Sequence, residues 1–589
     1  MPVTALTAVW FGTFAGLLEV ALLAFQKFVR HGLTHRGPQG VWMAPLAEVI
    51  VLLSVGVVLF AFGLRWPRAR SLPVIVAASA FLAGLSVLLL PGWFAWWSAS
   101  LLAAGIAAQA ARLARRFPVR FERLLRRTVA IPIMITIALA LVVNLQLTIS
   151  ERRELARLPH ARANAANIIV IIWDAVRAQS LSLHGHHRRT TPNLELLARR
   201  GVVFQRAIAT APWTLPSHAS MFTGLFSHQL DVGWALPFRQ DAPTLAEVLA
   251  RHGYRTGGFV GNILYTDAEH GLARGFAHYE DRPMSVGEVL SNSTLLHELA
   301  DPENSLARVT GPHRYLWRKR AGKIDRDFLR WVAQDSTRPF FAFLNYFDAH
   351  DPYLPPREFR NRFGDLERPG LAARLRKISR GEQIWDRAPD EIEHEVRGYE
   401  SSVAYLDHAL GELAAALALR GLLQNTVIVI TSDHGEEFGE HGEFRHGETL
   451  FMPALHVPLV LIAPERIQAG QQVEVPVSLR DLAATILDLV GVAESSPLPG
   501  ASWTSLLARA RNQPPTPVLS ATTRDLHGRN LQHSLVTQRY HYIRESGSSE
   551  QLFDLSSDPA ENTNLIKLGY DQAHLLTLRG LVDSIRANK

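Results

Sequence analysis

The sequence predicts two parts of different class. Residues 1–150 read as an N-terminal bundle of about five transmembrane helices. Residues 167–589 read as an α/β domain with a mostly parallel central sheet, and 478–589 as its smaller antiparallel C-terminal subdomain. Three observations carry this. Apolar runs of about 20 residues, long enough to cross a bilayer as helices, are confined to the first 150 positions. Beyond them, short Ile- and Val-rich runs alternate with helical patterns, which builds parallel sheets covered on both faces. Aspartates and histidines then recur just past the ends of those runs, where ligands gather in such sheets.

The apolar runs lie at Leu6–Phe28, Val41–Leu64, Leu72–Leu90, Trp93–Leu113 and Thr128–Leu147. No basic residue precedes the first and four others follow it, so it reads as an anchor and not a signal peptide. Glu19 and Glu48 fall inside two runs. An ionisable group there is costly and often functional, and a pair buried against polar atoms of the bundle is the alternative. Arg115, Arg116, Arg120, Arg123, Arg126 and Arg127 crowd one loop, and Arg65, Arg68 and Arg70 another, on the same side if all five runs span. Positive loops stay in the cytoplasm, so the chain is expected to leave the fifth span on the extracytoplasmic side of the cell membrane. Lys27, Arg30 and Arg36 argue weakly the other way.

The bulk numbers agree with this division. The chain has 589 residues, 48% of them hydrophobic, and is too long for one compact domain. The formal net charge is +7, but many arginines flank the apolar runs, which favours a lipid bilayer as partner over nucleic acid. There are no cysteines, which excludes disulfides, thiolate metal sites and a cysteine nucleophile.

Residues 151–166 read as a linker or surface helix. Asn167–Trp173 is a continuous apolar run, the pattern of a strand buried on both faces. Thr191–Gly201 predicts a helix with Pro192 near its start, and Val202–Ala207 a strand. Thr244–His252 predicts a helix ending at Gly253, then a strand at Tyr254–Val260. A helix at Asp325–Gln334 precedes a strand at Phe340–Tyr346. Arg357–Glu400 is highly charged and reads as surface helices or a lid. Val403–Leu419 predicts a long helix, followed by strands at Thr426–Thr431 and Val457–Ile462. Later come a helix at Leu479–Leu489, short strands at Pro517–Thr522 and Tyr540–Arg544, and a terminal helix at Gln572–Arg586.

Three stretches of the second part carry chemistry. Ala211-Pro-Trp-Thr-Leu-Pro-Ser-His218 places the hydroxyl of Thr214, a rigid turn at Pro216 and the imidazole of His218 within five residues. Asp174 ends one apolar run, and Asp433-His434 ends another. Asp174, Asp433 and His434 with the Thr214 oxygen make a plausible site for Zn²⁺ or Mn²⁺, with Ca²⁺ an alternative. A bound cation stabilises a threonine alkoxide, which is otherwise rare at neutral pH. Taken singly, a Thr-x-Pro turn is usually only a turn, and a Ser-Asp-His-Gly step can be a helix cap. Their joint occurrence after separate strands is what points to a site. His350, His441 and His446 follow in the later part, where imidazoles can bind anionic oxygens and protonate a leaving group. For His441 an exposed loop position is the competing reading, and His184, His186 and His187 are expected to be solvated.

Together these stretches resemble the sulfatase branch of the alkaline-phosphatase superfamily over roughly Asn167 to Leu565. The resemblance rests on Asn167-Ile-Ile-Val-Ile-Ile-Trp-Asp-Ala-Val-Arg177, Thr191-Pro-Asn-Leu-Glu195, Thr214-Leu-Pro-Ser-His218 with Thr223-Gly224, and His350-Asp-Pro-Tyr353. It continues through Ser432-Asp-His-Gly-Glu436, Leu552-Phe-Asp-Leu555 and Asp558-Pro-Ala-Glu-Asn562. It implies that Thr214 stands where sulfatases carry the cysteine or serine that becomes formylglycine. It puts Asp174, Asp433 and His434 at metal positions, His350 at a substrate-anion position, and His446 where many sulfatases have a substrate-binding lysine. Threonine cannot become formylglycine, His218 replaces an arginine, Ala175 a second aspartate and His434 an asparagine. These departures are similar to membrane-bound phosphoethanolamine and phosphoglycerol transferases, which combine five spans, a threonine nucleophile and a single Zn²⁺ or Mn²⁺. The expected activity is therefore hydrolysis or transfer of a phosphate ester of a lipid or glycan through a covalent threonine. Sulfate-ester hydrolysis and a silent anion- or glycan-binding protein are the alternatives.

Overall fold

The structure is a computed structural model of the full chain. It describes residues 2–230, 232–233, 236–238, 241–300, 319–364, 389–492, 498–508, 516–523, 531–545 and 549–587. The chain divides into two compact units, the first built on residues 1–153 and the second on most of the remainder.

The first unit is helical: α1 (Val3–Phe28), α2 (Gly40–Arg65), α3 (Leu72–Leu89), α4 (Trp96–Arg116), α5 (Pro118–Thr128) and α6 (Ala130–Arg157). Four stretches are long and apolar enough to cross a membrane: Val3–Phe28, Gly40–Arg65, Leu72–Leu89 and Pro118–Arg157. The expected fourth span is a helix, α4, but it is not among them. Gln109, Arg112, Arg115 and Arg116 make its second half too polar. Glycine lets α1 and α2 pack closely, since a Cβ at Gly12 would meet Val49 Cα at 2.7 Å.

Glu19 and Glu48 are fully buried. Ser86 Oγ bridges them, 2.9 Å from Glu48 Oε1 and in contact with Glu19 Oε1, and Ser293 Oγ donates to Glu48 Oε1 at 2.6 Å. Ser293 comes from far along the chain. The helices α10 (Val286–Ser291) and α11 (Thr294–Ala300) count with this unit and pack on α2 and α3.

The second unit is α/β. Its main sheet has the order β10-β2-β9-β6-β1-β5-β3-β4, with β11 also on β2. These are β1 (Asn167–Trp173), β2 (Val202–Ile208), β3 (Arg255–Val260), β4 (His278–Glu280), β5 (Phe340–Tyr346), β6 (Thr426–Thr431), β9 (His456–Ile462), β10 (Gln471–Val473) and β11 (Val477–Ser478). β9 alone runs antiparallel to its neighbours, β2 and β6. β1 sits centrally, parallel to β5 and β6. Its side chains alternate between two cores: Ile168, Val170 and Ile172 join one, Ile169, Ile171 and Trp173 the other. That two-sided burial is why its sequence is continuously apolar.

Helices fill both faces. α7 (Pro192–Ala198) starts on its proline, and α9 (Leu245–Arg251) is capped by Thr244 and Glu247 acting on each other's backbone. α8 (Thr214–Thr223) follows β2 and is wholly buried. The helix expected from Val403 begins earlier, at Pro389, so part of the charged stretch Arg357–Glu400 is helical. The rest of that expected lid, 365–388, lies outside the described residues. The short antiparallel pair β7 (Glu437–Phe438) and β8 (Phe444–Arg445) follows β6.

The C-terminal part is a four-stranded antiparallel sheet, β12 (Val518–Thr523), β13 (Leu531–Val536), β14 (Tyr540–Glu545) and β15 (Glu550–Asp554). The helix Gln572–Ala587 covers it through Leu575, Leu578 and Val582.

Candidate active site

Parallel order brings the ends of β1, β6, β3 and β5 to one edge, and each end carries a polar residue. Asp174 follows β1, where its N–H donates to Tyr346 O at 2.9 Å. Asp433 and His434 follow β6. Thr214 is the first residue of α8. All four are buried, with Thr214 the most exposed at 2%.

Serines lock these segments together. Val176 N–H donates to Ser432 Oγ at 2.8 Å, and Ser217 Oγ donates to Asp433 O at 2.6 Å. Ala175 adopts a left-handed backbone, φ 62°, which turns its N–H to Asp433 Oδ1 at 3.2 Å. A non-glycine residue holds that conformation only at some steric cost.

Thr214 Oγ1 lies 3.4 Å from His434 Nε2. His434 Nε2 is 3.4 Å from Asp433 Oδ2 and 4.0 Å from Asp174 Oδ1. His434 Nδ1–H donates to Gly435 O at 2.9 Å, so Nε2 turns its lone pair toward this centre. Asp174 Oδ1 and Asp433 Oδ2 are buried without hydrogen-bond partners. One ligand atom from each of Asp174, Asp433 and His434 falls within 4.8 Å of the others. Burial raises both carboxyls to about 7, helped at Asp174 by the Asp433 charge, and burial lowers His434 to about 4. Two unpartnered carboxylate oxygens facing an imidazole lone pair fit a divalent cation.

The other expected residues divide. The His446 ring lies 4.3 Å from that of His434, tilted by 37°, with Nδ1 2.8 Å from Glu436 Oε1. His350 lies 4.8 Å from His446 and is held by a 3.0 Å bond to Asp351 O. Both are pushed down by burial, His446 to about 4 and His350 well below the usual imidazole range. The structure thus brings His434, His446 and His350 into one row. His218 sits under the site: Nδ1–H donates to Thr214 O at 2.9 Å, and the ring packs on Phe343 at 5.6 Å. Burial lowers it to about 3.

His441 is outside this row. It stacks on Phe451 at 3.8 Å and bonds Ala560 O at 3.1 Å. His184 and His186 are not solvated as expected. His184 meets the His456 ring edge to face at 5.8 Å, and His186 pairs with Glu400 at 2.8 Å, because the loop after β1 folds back on the domain. His187 is exposed.

Two residues were not anticipated. Asn262, two residues past β3, donates to Asp174 Oδ2 at 2.9 Å and to Thr214 Oγ1 at 3.3 Å. Asn345, in β5, donates to Asp174 Oδ2 at 3.2 Å and accepts from Asn262 N–H at 2.9 Å. Both stand at the ends of apolar strands, the signal that singled out Asp174. Glu436 is also fully buried, and burial raises it to about 8.

Comparison with known proteins gives the chain a family. The Sulfatase family profile matches residues 166–492, and the profile "N-sulphoglucosamine sulphohydrolase, C-terminal" matches 439–585. Arylsulfatase K of Bos taurus is 30% identical over 446 residues, covering 68% of this chain and 78% of its own. An arylsulfatase of Clostridium perfringens is 26% identical over 452 residues, covering 68% and 90%. Among solved structures, the phosphonate monoester hydrolase of Agrobacterium radiobacter superposes with TM-score 0.57 at 22% identity, over 72% of this chain and 95% of that one. A protein solved with its substrate D-glucosamine-2-N,6-O-disulfate gives 0.56 at 20%, over 72% and 98%. The α/β sheet, the buried Asp174, Asp433 and His434 beneath Thr214, and the match over more than half of its length lead to one conclusion: this chain belongs to the sulfatase family.

Proposed function

We propose that this chain is a membrane-anchored, metal-dependent hydrolase of sulfate esters with Thr214 Oγ1 as the attacking atom. The observation that carries the proposal is Thr214 Oγ1 lying 3.4 Å from His434 Nε2, beside two buried carboxylates with unpartnered oxygens. Family membership and the arylsulfatase relatives favour sulfate over other esters. Asp174, Asp433 and His434 would hold the ion, with Thr214 beside it. A set of two carboxylates and one imidazole suits Zn²⁺ or Mn²⁺, with Ca²⁺ an alternative. When bound, the ion supplies charge that favours an ionised hydroxyl and an electron-rich ester oxygen.

The chain's own residues do the rest. Asn262 orients Thr214 Oγ1 and Asp174 together. Thr214 Oγ1 bonds to sulfur as the bond from sulfur to the leaving oxygen breaks; its proton passes to solvent, and the leaving oxygen takes one from water. Water then attacks sulfur, the Thr214 oxygen–sulfur bond breaks, sulfate departs and Thr214 regains a proton. His446, with Nδ1 against the Glu436 carboxyl that burial keeps protonated, offers its Nε2–H to the ester's charged oxygens. His350 packs against the His446 ring, and His218 holds the first turn of α8 through Thr214 O. Burial keeps these imidazoles neutral, so they do not repel the ion.

A second reading, transfer or hydrolysis of a phosphate ester, is favoured by Thr214 itself. A threonine oxygen can carry a phosphoryl group with no prior modification. The protein in detergent should be assayed side by side on an aryl sulfate, an aryl phosphate and a bis-aryl phosphodiester, and with sulfur- and phosphorus-labelled donors. Sulfate turnover that Thr214→Ala abolishes supports the first reading. Turnover and labelling with phosphorus alone support the second. Anion binding without turnover or adduct would leave a silent binding protein.

We further propose that residues 167–589 form the catalytic domain and that it lies outside the cytoplasm. The arginines of residues 115–127 support that orientation.

A further inference from the structure

We propose that His228, His533 and Arg586 form a second oxyanion-binding site in the C-terminal part of the enzyme, built on different residues from those around Thr214. It would take a sulfate, phosphate or carboxylate group.

The geometry starts from Phe226, which follows α8. The His228 ring stacks on it, with centroids 5.5 Å apart and planes 17° apart, and Arg480 lies over it with Cζ 4.0 Å from the ring centre. The His533 ring, from β13, lies 6.3 Å from that of His228. Both His228 nitrogens, His533 Nε2 and Arg480 Nε are buried with no hydrogen-bond partner. His533 is only 4% exposed. An unsatisfied buried polar atom costs about 1–3 kcal/mol, so several together on neighbouring side chains need an explanation.

Charge says what fits. Arg586, on the C-terminal helix, acts electrostatically on both imidazoles, and Arg544, opposite His533 in the β13–β14 ladder, acts on His533. The nearby carboxylates are committed: Asp583 to Arg544 at 2.6 Å and, more loosely, to Arg586 at 4.0 Å, and Asp481 to the Ala501 N–H at 2.9 Å and Arg480 at 3.7 Å. Three guanidiniums therefore face two engaged carboxylates. Burial first, and these cations next, push both imidazoles below their ordinary range, His533 to about 3. An imidazole N–H in positive surroundings binds an anion and not a metal ion. Arg586 adds an exposed guanidinium, suited to a tetrahedral oxyanion or a carboxylate.

The ligand could be a free inorganic ion or a second charged group on the substrate, and one set of variants separates these. Crystals of the full chain soaked in selenate should show an anomalous peak between His228 and His533, besides one at Thr214 that serves as control. The peak should vanish in His228→Gln and in Arg586→Gln; the latter is exposed and leaves the core intact. A Thr214 peak without a His228 peak in the unmodified protein would overturn the proposal, as would a peak indifferent to both substitutions. For a substrate group, KM for a polysulfated saccharide should rise at least about tenfold in Arg586→Gln, while a small aryl sulfate is unaffected. Equal KM values with the selenate peak lost would assign the site to a free ion. The selenate result stands even if no sulfate ester is turned over, so the two proposals fail separately.

Discussion

Thr214 reacts, on this reading, because of where its hydroxyl is held. As the first residue of α8 it sits where helix N–H groups are unpaired, and Asn262 and His434 approach it at 3.3 and 3.4 Å. Thr214→Ala should lower kcat by at least about 10³-fold while the protein keeps its thermal transition. Thr214→Ser should keep a measurable share; equal activity of the alanine variant would remove the nucleophile. Asn262→Leu, which loses the bonds to both Thr214 and Asp174, should lower kcat about tenfold. Asp433→Asn should lower the metal content of the purified protein well below one ion per chain by elemental analysis. A chelator should do the same to the unmodified protein and abolish turnover, and re-addition of Zn²⁺ or Mn²⁺ should restore it.

At the scale of elements, the ends of α8 and the helix beside β5 make the site rigid. α8 stops at Gly224, φ 71°, where a Cβ would collide with the Pro499 carbonyl oxygen. Gly224→Ala should cost about 2 kcal/mol or more, read as a lowered Tm, with activity falling alongside because α8 carries Thr214. Asp325, on the helix Ala321–Val332, is buried beneath β5, accepts from the Tyr346 hydroxyl, and leaves Oδ2 without a partner. Burial raises its carboxyl to about 8, well above its unfolded value of about 3.9. The folded protein therefore holds a proton there that the unfolded chain gives up first. Stability is fully retained below about pH 4 and declines as the pH rises toward about 8. Asp325→Asn should flatten that slope, so that its Tm gains on the unmodified protein from about pH 5 to about pH 8. A Tm difference constant across that range would contradict the assignment.

For the whole molecule, four apolar stretches are long enough to cross a bilayer, and the proposed orientation rests on the arginines of residues 115–127. Protease added to intact cells should cut within residues 167–589; cleavage only after lysis would reverse the proposed topology. Much of this organisation was legible in the chain. β1, β5, β6 and β9 were readable because burial on both faces demands an unbroken apolar run. β13 and β15 were not, because Leu-Gln-His-Ser-Leu-Val and Glu-Gln-Leu-Phe-Asp mix polar residues into strands that need an apolar face on one side only. The return of α10 and α11 to the helical unit was also hidden, since it rests on packing between residues more than 200 positions apart.

The sequence alone determined the central strands of the main sheet and which side chains stand at their ends, because both follow from local periodicity and from where each apolar run stops. It therefore named Asp174, Thr214, Asp433 and His434. Only the tertiary structure decided which neighbours they meet. It chose His446 and His350 over His441, and added Asn262 and Asn345, because strand order and not chain order sets the distances at the sheet edge.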